Sequence, residues 1–297
     1  MRGTAGCAAF AVPGGPFGQT LVPPAAFMTQ GRRKSILLRC GVLLAIVSFL
    51  RATAAGRTGM LTLGPTGWLL PTVLTLVLAL LAWRLGEISA GGAVAGAAVS
   101  LLLYATAGPG GFVILGAVFL VTAASSHFGR ARKRTLGIAE NRRGRGAGQI
   151  LANLMAGSGL SLAASLTGRS SLLVAAVAAL AEAAVDTASG EVGKGTPAKV
   201  YLITSFRRIE AGTDGGVSVA GTLAGMVAGI GIALLAAGWR LILPREIPLV
   251  AIAAILGGMA DSVLGATLQR AGWLSNSAVN LAGTVCAALL ALACARM

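Results

Sequence analysis

Charged residues are scarce in this chain. They make up 11% of its 297 residues, against a hydrophobic fraction of 56% and a mean hydropathy of +0.83, which is not the composition of a soluble globular domain. The single histidine, His127, cannot build a histidine-rich metal site alone. The four cysteines form no CxxC pair, so the sequence predicts neither a zinc site nor a disulfide framework. The absence of a GxSxG motif argues against a hydrolase triad.

Long apolar runs rich in Ala, Leu and Gly dominate the sequence instead. Runs of about 18 apolar residues are typical of membrane-spanning helices, and their continuity excludes the alternating pattern of a membrane barrel. The sequence therefore predicts an all-α, polytopic integral membrane bundle of eight or nine transmembrane helices. The predicted helices cover about 36–53, 67–84, 88–107, 110–127, 148–167, 171–186, 216–238, 247–268 and 277–295.

The N-terminal part of the chain differs from the rest. Residues 1–34 contain PGGP and VPP and lack periodicity, which predicts a disordered tail before a single transmembrane domain at 35–297. Arg39 and Arg51 limit the uncharged core of the run 36–53, so this segment is either a spanning helix or an interfacial or signal-like segment. Met1 and Met28 are both candidate starts.

The net charge of +15 comes from basic residues in short loops. No nucleic-acid motif accompanies them, so we expect no nucleic-acid partner. Seven Lys and Arg lie in the loop 129–145 against one carboxylate, Glu140, which predicts that this loop is cytoplasmic. Counting helices outward puts the N-terminus in the cytoplasm, with 18 Lys and Arg inside and six outside. The expected location is therefore a membrane, the cell inner membrane if the source is bacterial.

Five of the nine carboxylates lie between Glu182 and Asp214. Asp186, Glu191 and Asp261 are the candidate catalytic residues and metal ligands, because Mg²⁺ is typically held by one or two carboxylates together with substrate phosphates. Asp261 lies about ten residues from the nearest loop, where a carboxylate is costly unless it is paired, solvated or bound to an ion. The alternative for this residue is a structural hydrogen bond to a neighbouring helix.

A glycine-rich stretch, GTDGGVS at 212–218, runs into the seventh predicted helix, with Thr213 or Asp214 as the expected cap. The free N–H groups of a helix start suit an anionic oxygen such as phosphate, although glycine-rich helix starts are common. The predicted topology brings other polar residues to the same end of the bundle. The candidate phosphate- and substrate-binding residues are Thr213, Gly215, Gly216, Ser218, Asn153, Gln269, Asn276 and Asn280.

Several motifs follow one another along the chain in a recognisable order. They are AWRLGEISAGGAVAG (82–96), RGAGQILAN (145–153), VDTASGEVG (185–193), GTDGGVSVAGT (212–222), GGMADSVLGATLQR (257–270) and SNSAVN (275–280). Together they resemble the integral membrane family of transmembrane protein nineteen, a domain-of-unknown-function family that includes a plant chloroplast phytyl-phosphate kinase. The resemblance covers about residues 65–295. Family members often have Ala-Asp-Thr and Thr-Glu where this chain has Val185-Asp186 and Gly190-Glu191, but the carboxylates themselves remain.

The resemblance implies phosphoryl transfer from a nucleoside triphosphate, CTP or ATP, to a phytyl- or geranylgeranyl-type isoprenoid monophosphate. Expected partners are membrane lipid, the isoprenoid monophosphate, the nucleotide and Mg²⁺, with the prenyl chain and the oligomeric state open. One alternative is a transporter or flippase of a polar or phosphorylated lipid, for which the glycine-rich break at 212–216 is the cue. A second is a structural membrane protein whose polar motifs only hold helices together.

Overall fold

The computed structural model describes residues 65–139 and 144–295, so the predictions for the tail 1–34 and the segment 36–53 lie outside the described residues. The helices are α1 (Pro65–Arg84), α2 (Ala90–His127), α3 (Arg130–Thr135), α4 (Ala147–Thr167), α5 (Ser170–Gly195), α6 (Val219–Gly238), α7 (Ile247–Leu264) and α8 (Asn276–Cys294). A 3₁₀ turn, Pro244–Glu246, precedes α7, and a π-helical turn, Gly265–Gln269, follows it. Between α5 and α6 lie the strands β1 (Val200–Leu202), β2 (Arg208–Ile209) and β3 (Gly216–Val217).

The helix α2 crosses the bundle twice. It breaks at Gly108, which has φ +70° and is followed by a proline. A Cβ on Gly111 would lie 2.7 Å from the carbonyl oxygen of Leu103, a residue that a straight helix would place about 12 Å away. The two ends of α2 also lie close together. Oε1 of Glu87, three residues before the helix begins, lies 3.4 Å from Nε2 of His127, its last residue. The chain therefore folds back at Gly108, as the two separate predicted helices require.

The membrane passes agree with the predicted architecture. Seven helices of the described residues are long and apolar enough to cross a membrane. Counting α2 as two antiparallel halves gives eight passes. The prediction of an all-α integral membrane bundle is confirmed, and the possible ninth helix, 36–53, lies outside the described ranges.

The central helix is α5. It contacts α2, α4, α6, α7 and α8, and 78% of its most apolar window is buried. Alanine is the commonest residue of this helix, which lets the neighbouring helices approach closely. The expected end of this helix at Asp186 is wrong, because the helix continues to Gly195. Gly193 within this extension supports a close contact, since a Cβ there would lie 3.0 Å from the Ser218 hydroxyl oxygen.

A row of glycines on α6 faces α5. Gly221, Gly225 and Gly229 recur at every fourth position and so share one face of the helix. A Cβ on Gly225 would lie 2.9 Å from the carbonyl oxygen of Val185, and a Cβ on Gly229 would lie 2.7 Å from a methyl group of that valine. The two backbones therefore approach closely along this row, as small residues allow between membrane helices.

The three short strands are an addition to the predicted all-α fold. The strand β1 lies in the centre and pairs antiparallel with β2 and with β3. Because the glycine-rich stretch first forms β3, the helix α6 begins only at Val219. Its cap is Ser218, whose hydroxyl oxygen accepts a hydrogen bond from the Gly221 N–H at 3.2 Å. The expected capping by Thr213 or Asp214 is therefore wrong.

One end of the bundle, which we call the polar end, carries the loops that contain the predicted site residues. The Ser89 N–H donates to the Arg145 carbonyl at 3.0 Å, and Gly212 packs on Ile138. Basic residues concentrate at this end: among the described residues 11 Lys and Arg lie there and three at the opposite end. Those at the polar end are Arg84, Arg130, Arg132, Lys133, Arg134, Arg145, Lys194, Lys199, Arg207, Arg208 and Arg270.

Candidate active site

A cleft of about 340 Å³ opens at the polar end of the bundle. Its walls come from α4, α5, α6, α7 and α8, and the segment around β1 and β3 lines its mouth. Ten of the 11 predicted site residues line this cleft, and the exception, Gln269, lies outside its lining. The ten are Asn153, Asp186, Glu191, Thr213, Gly215, Gly216, Ser218, Asp261, Asn276 and Asn280.

Two aspartates face each other across the cleft. Asp186 comes from α5 and Asp261 from α7, and their carboxyl groups lie close enough to interact electrostatically. Asp261 is only 9% exposed, and its Oδ2 has no hydrogen-bond partner among the described residues. A buried carboxylate oxygen without a partner is costly, so this atom indicates a position that a proton, a cation or a ligand group completes.

Glu182 lies one helical turn below Asp186 on the same face of α5. It is 1% exposed, does not line the cleft, and has one carboxylate oxygen, Oε1, without a partner in the described structure. Two glycines make room for it. A Cβ on Gly283 would lie 2.6 Å from Glu182 Oε1, and a Cβ on Gly257 would lie 2.8 Å from Glu182 Cγ. The three carboxylates therefore form one column, which we call the acidic column: Glu182, Asp186 and Asp261.

Glu191 is held differently, because both of its carboxylate oxygens are paired with amines. Lys133 Nζ donates to Oε2 at 2.7 Å, and Lys194 Nζ lies 2.5 Å from Oε1. Lys133 is 1% exposed and also donates to the carbonyl oxygens of Ser125 and Ser126, at 3.1 and 2.8 Å. This cluster joins α3 to α5 and sets the position of Lys194. The prediction that Glu191 binds a metal stays a prediction.

Two cations face the aspartate pair. Arg145 and Lys194 both line the cleft and both lie close enough to Asp186 to interact with it electrostatically. The backbone of Arg145 is fixed from both sides, since its N–H donates to the Glu87 carbonyl at 3.1 Å and its carbonyl accepts from Ser89. Its guanidinium also donates to the Thr187 hydroxyl at 3.4 Å. The cleft thus presents positive and negative groups side by side.

The amide side chains form a second wall. Asn280 Nδ2 on α8 donates to Asn153 Oδ1 on α4 at 2.9 Å. By valence, Asn153 keeps its N–H₂ group and Asn280 keeps its carbonyl oxygen for a ligand. Asn276 lies one turn away at the start of α8. Gln149, which also lines the cleft, accepts a hydrogen bond from the Gly146 N–H at 3.0 Å and so caps α4.

The glycine-rich loop lines the mouth of the cleft. Gly215 has φ +74°, and a Cβ there would lie 2.5 Å from the backbone nitrogen of Ala266, so the loop needs glycine at this position. The Gly216 N–H donates to the Thr213 carbonyl at 3.0 Å, and the Thr213 hydroxyl donates to the Glu210 carbonyl at 2.9 Å. The loop is therefore a fixed turn packed against the π-helical turn after α7.

The residues that could hold a metal are the two cleft aspartates. In the described ranges no group of three or more His, Cys, Asp or Glu side chains is arranged to hold a metal ion by itself. Asp186 and Asp261 offer facing carboxylates, and one oxygen of Asp261 has no partner. This donor set fits an ion whose coordination is completed by ligand oxygens, as for Mg²⁺ bound by one or two carboxylates and phosphates.

Sequence reasoning did not assign cations to the site. Lysines and arginines near the carboxylates could hold phosphates, but the positive-inside bias explains them equally well, and Lys133 is one of seven cations in its loop. The pairing of Lys133 with Glu191 spans 58 positions, so no local pattern indicates it. Lys194 carried a usable signal, because it lies three residues after Glu191 on a helix, a spacing at which opposite charges meet.

A bundle of apolar helices with a charged cleft at one end defines the class: a polytopic integral membrane protein with a polar site at the end of its bundle. The chain belongs to the family described as integral membrane protein DUF92, whose model matches residues 73–288. This family assignment does not test the narrower name, transmembrane protein nineteen.

Relatives occur in bacteria, plants and archaea. An uncharacterized membrane protein of Synechocystis sp., sll0875, is 34% identical over 199 residues, which are 65% of this chain and 77% of that protein. The chloroplast protein VTE6 of Arabidopsis thaliana is 30% identical over 203 residues, 65% of this chain and 61% of the plant protein. An uncharacterized membrane protein of Methanocaldococcus jannaschii, MJ0933, is 40% identical over 114 residues, 38% of this chain and 47% of the other. No solved structure matches the chain.

Proposed function

We propose that this protein is a prenyl-phosphate kinase, which transfers a phosphoryl group from a nucleoside triphosphate to an isoprenoid monophosphate and releases the diphosphate. One observation carries the proposal: the facing pair Asp186 and Asp261 lies beside the cations Arg145 and Lys194 in one cleft at the end of a membrane bundle. Cations that neutralise phosphate oxygens and carboxylates that hold a metal are the recurring parts of phosphoryl-transfer sites.

The location of the cleft suits a substrate with one polar and one apolar end. The phosphate of an isoprenoid monophosphate would lie at the polar end, and its hydrocarbon chain would lie among the apolar helices. We assign the polar end to the cytoplasmic side, because 11 of the described basic residues lie there against three at the other end. The resemblance to a family with a plant phytyl-phosphate kinase supports the isoprenoid chain, and a chloroplast protein among the relatives agrees with it.

In the reaction, an oxygen of the acceptor phosphate attacks the γ-phosphorus of the nucleotide, and the bond to the β-phosphate oxygen breaks. A nucleoside diphosphate leaves with the electron pair of that bond. Mg²⁺, when bound, would neutralise the negative charge that develops on the phosphate oxygens. Asp186 and Asp261 would hold it, Arg145 and Lys194 would bind phosphate oxygens, and Asn153 and Asn280 would orient the acceptor. Positioning and charge neutralisation are sufficient for this chemistry.

The transporter alternative depended on a helix broken near the middle of the membrane. The glycine-rich break lies at the polar end, and α6 continues without interruption from Val219 to Gly238. The break in α2 at Gly108 is the turn of a helical hairpin at the opposite end. Within the described segments, no helix is broken in the way that transporter sites require. Transport of a phosphorylated lipid therefore stays as the alternative outcome of the test below.

The test is a product assay on the detergent-purified protein. We would incubate it with phytyl or geranylgeranyl monophosphate, Mg²⁺ and each of CTP, ATP, GTP and UTP, and detect the prenyl diphosphate by mass spectrometry. We expect product with at least one donor and none after EDTA. Asp186→Asn is expected to lower kcat by about 10²- to 10³-fold, and Lys194→Ala by about 10²-fold, because each removes a group that neutralises transition-state charge.

Two matched variants control for general damage. Lys199→Ala removes an exposed lysine five residues from Lys194, and Glu210→Gln removes an exposed carboxylate, and neither residue lines the cleft. Both are expected to keep wild-type turnover. The absence of product with every acceptor and donor, from a protein that unfolds cooperatively, would reject the kinase proposal and favour transport.

A further inference from the structure

The cleft continues below the aspartate pair as an apolar groove between α6 and α7. Met226 of α6, Met259 of α7 and Val185 of α5 line this groove. Val185 packs closely against α7, since a Cβ on Gly258 would lie 3.0 Å from a methyl group of Val185. No charged residue lines the groove below Asp261 in the described part of the chain.

The groove is open towards the side of the bundle. Met226 is 36% exposed and Met259 is 51% exposed, although both residues line the cleft. Met226 shares one face of α6 with the exposed Leu223. Met259 shares one face of α7 with the exposed Val263. Around these two methionines the cleft is therefore continuous with the lipid-facing surface.

The groove ends within the membrane. The two helices come together again where a Cβ on Gly229 would lie 3.9 Å from Ala254 Cβ. Ala254 precedes Asp261 by seven residues, so the groove extends about 10 Å below that carboxylate. An apolar chain that starts at the polar site can follow this groove only for that distance, and a longer chain must leave sideways.

We propose that this groove binds the phosphate-proximal part of the isoprenoid chain, and that the rest of the chain passes between Met226 and Met259 into the bilayer. The inference rests on the proposed function for the identity of the headgroup. A hydrocarbon chain is the occupant because the groove has apolar walls, is continuous with the phosphate site and opens to lipid. The site would then discriminate among the first isoprene units and tolerate different chain lengths beyond them.

The kinetic test narrows the opening with the double variant Met226→Trp/Met259→Trp. It is expected to lower kcat/KM for geranylgeranyl monophosphate by about tenfold or more, because a blocked apolar subsite discriminates by at least this factor. Dimethylallyl monophosphate, whose short chain does not reach the opening, is expected to lose a clearly smaller factor of kcat/KM than the long acceptor. The matched control is Met155→Trp on α4, which is also 51% exposed but does not line the cleft, and which is expected to keep both activities.

Equal losses with both acceptors, or an unchanged kcat/KM for the long acceptor, would overturn the proposal. A second experiment does not depend on turnover. A geranylgeranyl monophosphate with a diazirine near its phosphate end would be photolysed on the wild-type protein, and the labelled peptides sequenced. Labelling of the peptides that contain Met226 and Met259 supports the groove whether or not diphosphate forms. Labelling of these peptides without any diphosphate would reject the kinase activity and leave the groove standing. Labelling confined to other helices contradicts the groove.

Discussion

The charge of Glu191 on α5 is balanced in a different way from the charges of the acidic column, to which α5 gives Glu182 and Asp186 and α7 gives Asp261. At Glu191 both carboxylate oxygens meet an ammonium group, from Lys133 at 2.7 Å and from Lys194 at 2.5 Å. In the acidic column, Glu182 Oε1 and Asp261 Oδ2 have no hydrogen-bond partner among the described residues. Glu191 is 6% exposed, between Glu182 at 1% and Asp261 at 9%, so burial does not explain the difference.

Glu191 is neutralised by lysines of the protein itself, whereas Glu182 and Asp261 each keep a carboxylate oxygen that a proton, a cation or a ligand would have to satisfy. A buried charge is tolerated when it is paired and hydrogen-bonded, and the Glu191 cluster meets this condition with its own residues. In the acidic column Asp186 faces two cations, but Glu182 and Asp261 each keep an oxygen without a partner among the described residues. Asp261 also lines a cleft that a ligand can enter. We therefore expect the Glu191 cluster to matter mainly for stability and the cleft aspartates to matter mainly for function.

The largest effect on stability should come from breaking the paired cluster. Lys133→Met removes the buried ammonium and leaves the Glu191 carboxylate with one partner fewer, which is expected to lower the free energy of unfolding by about 3–5 kcal/mol. The measurement is unfolding of the purified protein in detergent. The neighbouring Arg134 is exposed, so Arg134→Met should change stability by no more than about 0.5 kcal/mol.

The double variant Lys133→Met/Glu191→Leu sharpens this prediction. It removes both charges of the buried pair and is expected to recover much of the lost stability, since replacing a whole buried pair by apolar residues is often neutral. A double variant that is less stable than Lys133→Met alone would contradict the assignment of Glu191 as a mainly structural partner.

A smaller effect is expected from crowding the acidic column. Gly283→Ala places a Cβ 2.6 Å from Glu182 Oε1 and 3.1 Å from Asp261 Cβ, which is expected to cost about 1–3 kcal/mol through overpacking. Gly231→Ala on α6 is the matched control, because a Cβ there has no neighbour within 4 Å. The control is expected to be neutral or to stabilise the helix by up to about 1 kcal/mol. Equal effects of the two substitutions would contradict the tight packing around Glu182.

The smallest effect is expected from neutralising the deepest member of the acidic column. Glu182→Gln keeps the shape of the side chain and replaces a carboxylate that has an oxygen without a partner. We expect stability to stay the same or to rise by about 1 kcal/mol or less, the opposite sign to Lys133→Met. A loss of several kcal/mol in the same unfolding assay would mean that Glu182 is paired as Glu191 is, and the comparison would fail.

Much of the cleft could be predicted from the sequence because topology alone brings distant loops to one end of a helical bundle. Asp186, Asp261 and Asn280 are polar residues in apolar runs, and counting helices was enough to bring them together. The turn in α2 was also predictable, since GPGG at 108–111 combines glycine with a proline that lacks an N–H.

The remaining features depend on contacts between distant residues, which a single sequence does not carry. The pairing of Lys133 with Glu191, the three short strands and the extension of α5 to Gly195 are examples. Glycines normally weaken a helix, and α5 continues through Gly193 because that residue packs closely against Ser218 and Gly221 of the α6 start. Gln269 was expected in the site because it lies on α7's continuation, but it is outside the lining of the cleft.

The most direct test of the account measures stability and turnover of Asp261→Asn on one preparation, beside the wild-type protein. The substitution keeps the shape of the side chain and removes the carboxylate whose Oδ2 has no partner. The account predicts an unfolding temperature equal to or above that of the wild type, and prenyl diphosphate formation reduced by about 10²-fold or more. A variant that loses stability in proportion to its activity, or one that keeps wild-type turnover, would contradict the claim that the Asp186 and Asp261 pair is the functional centre of this protein.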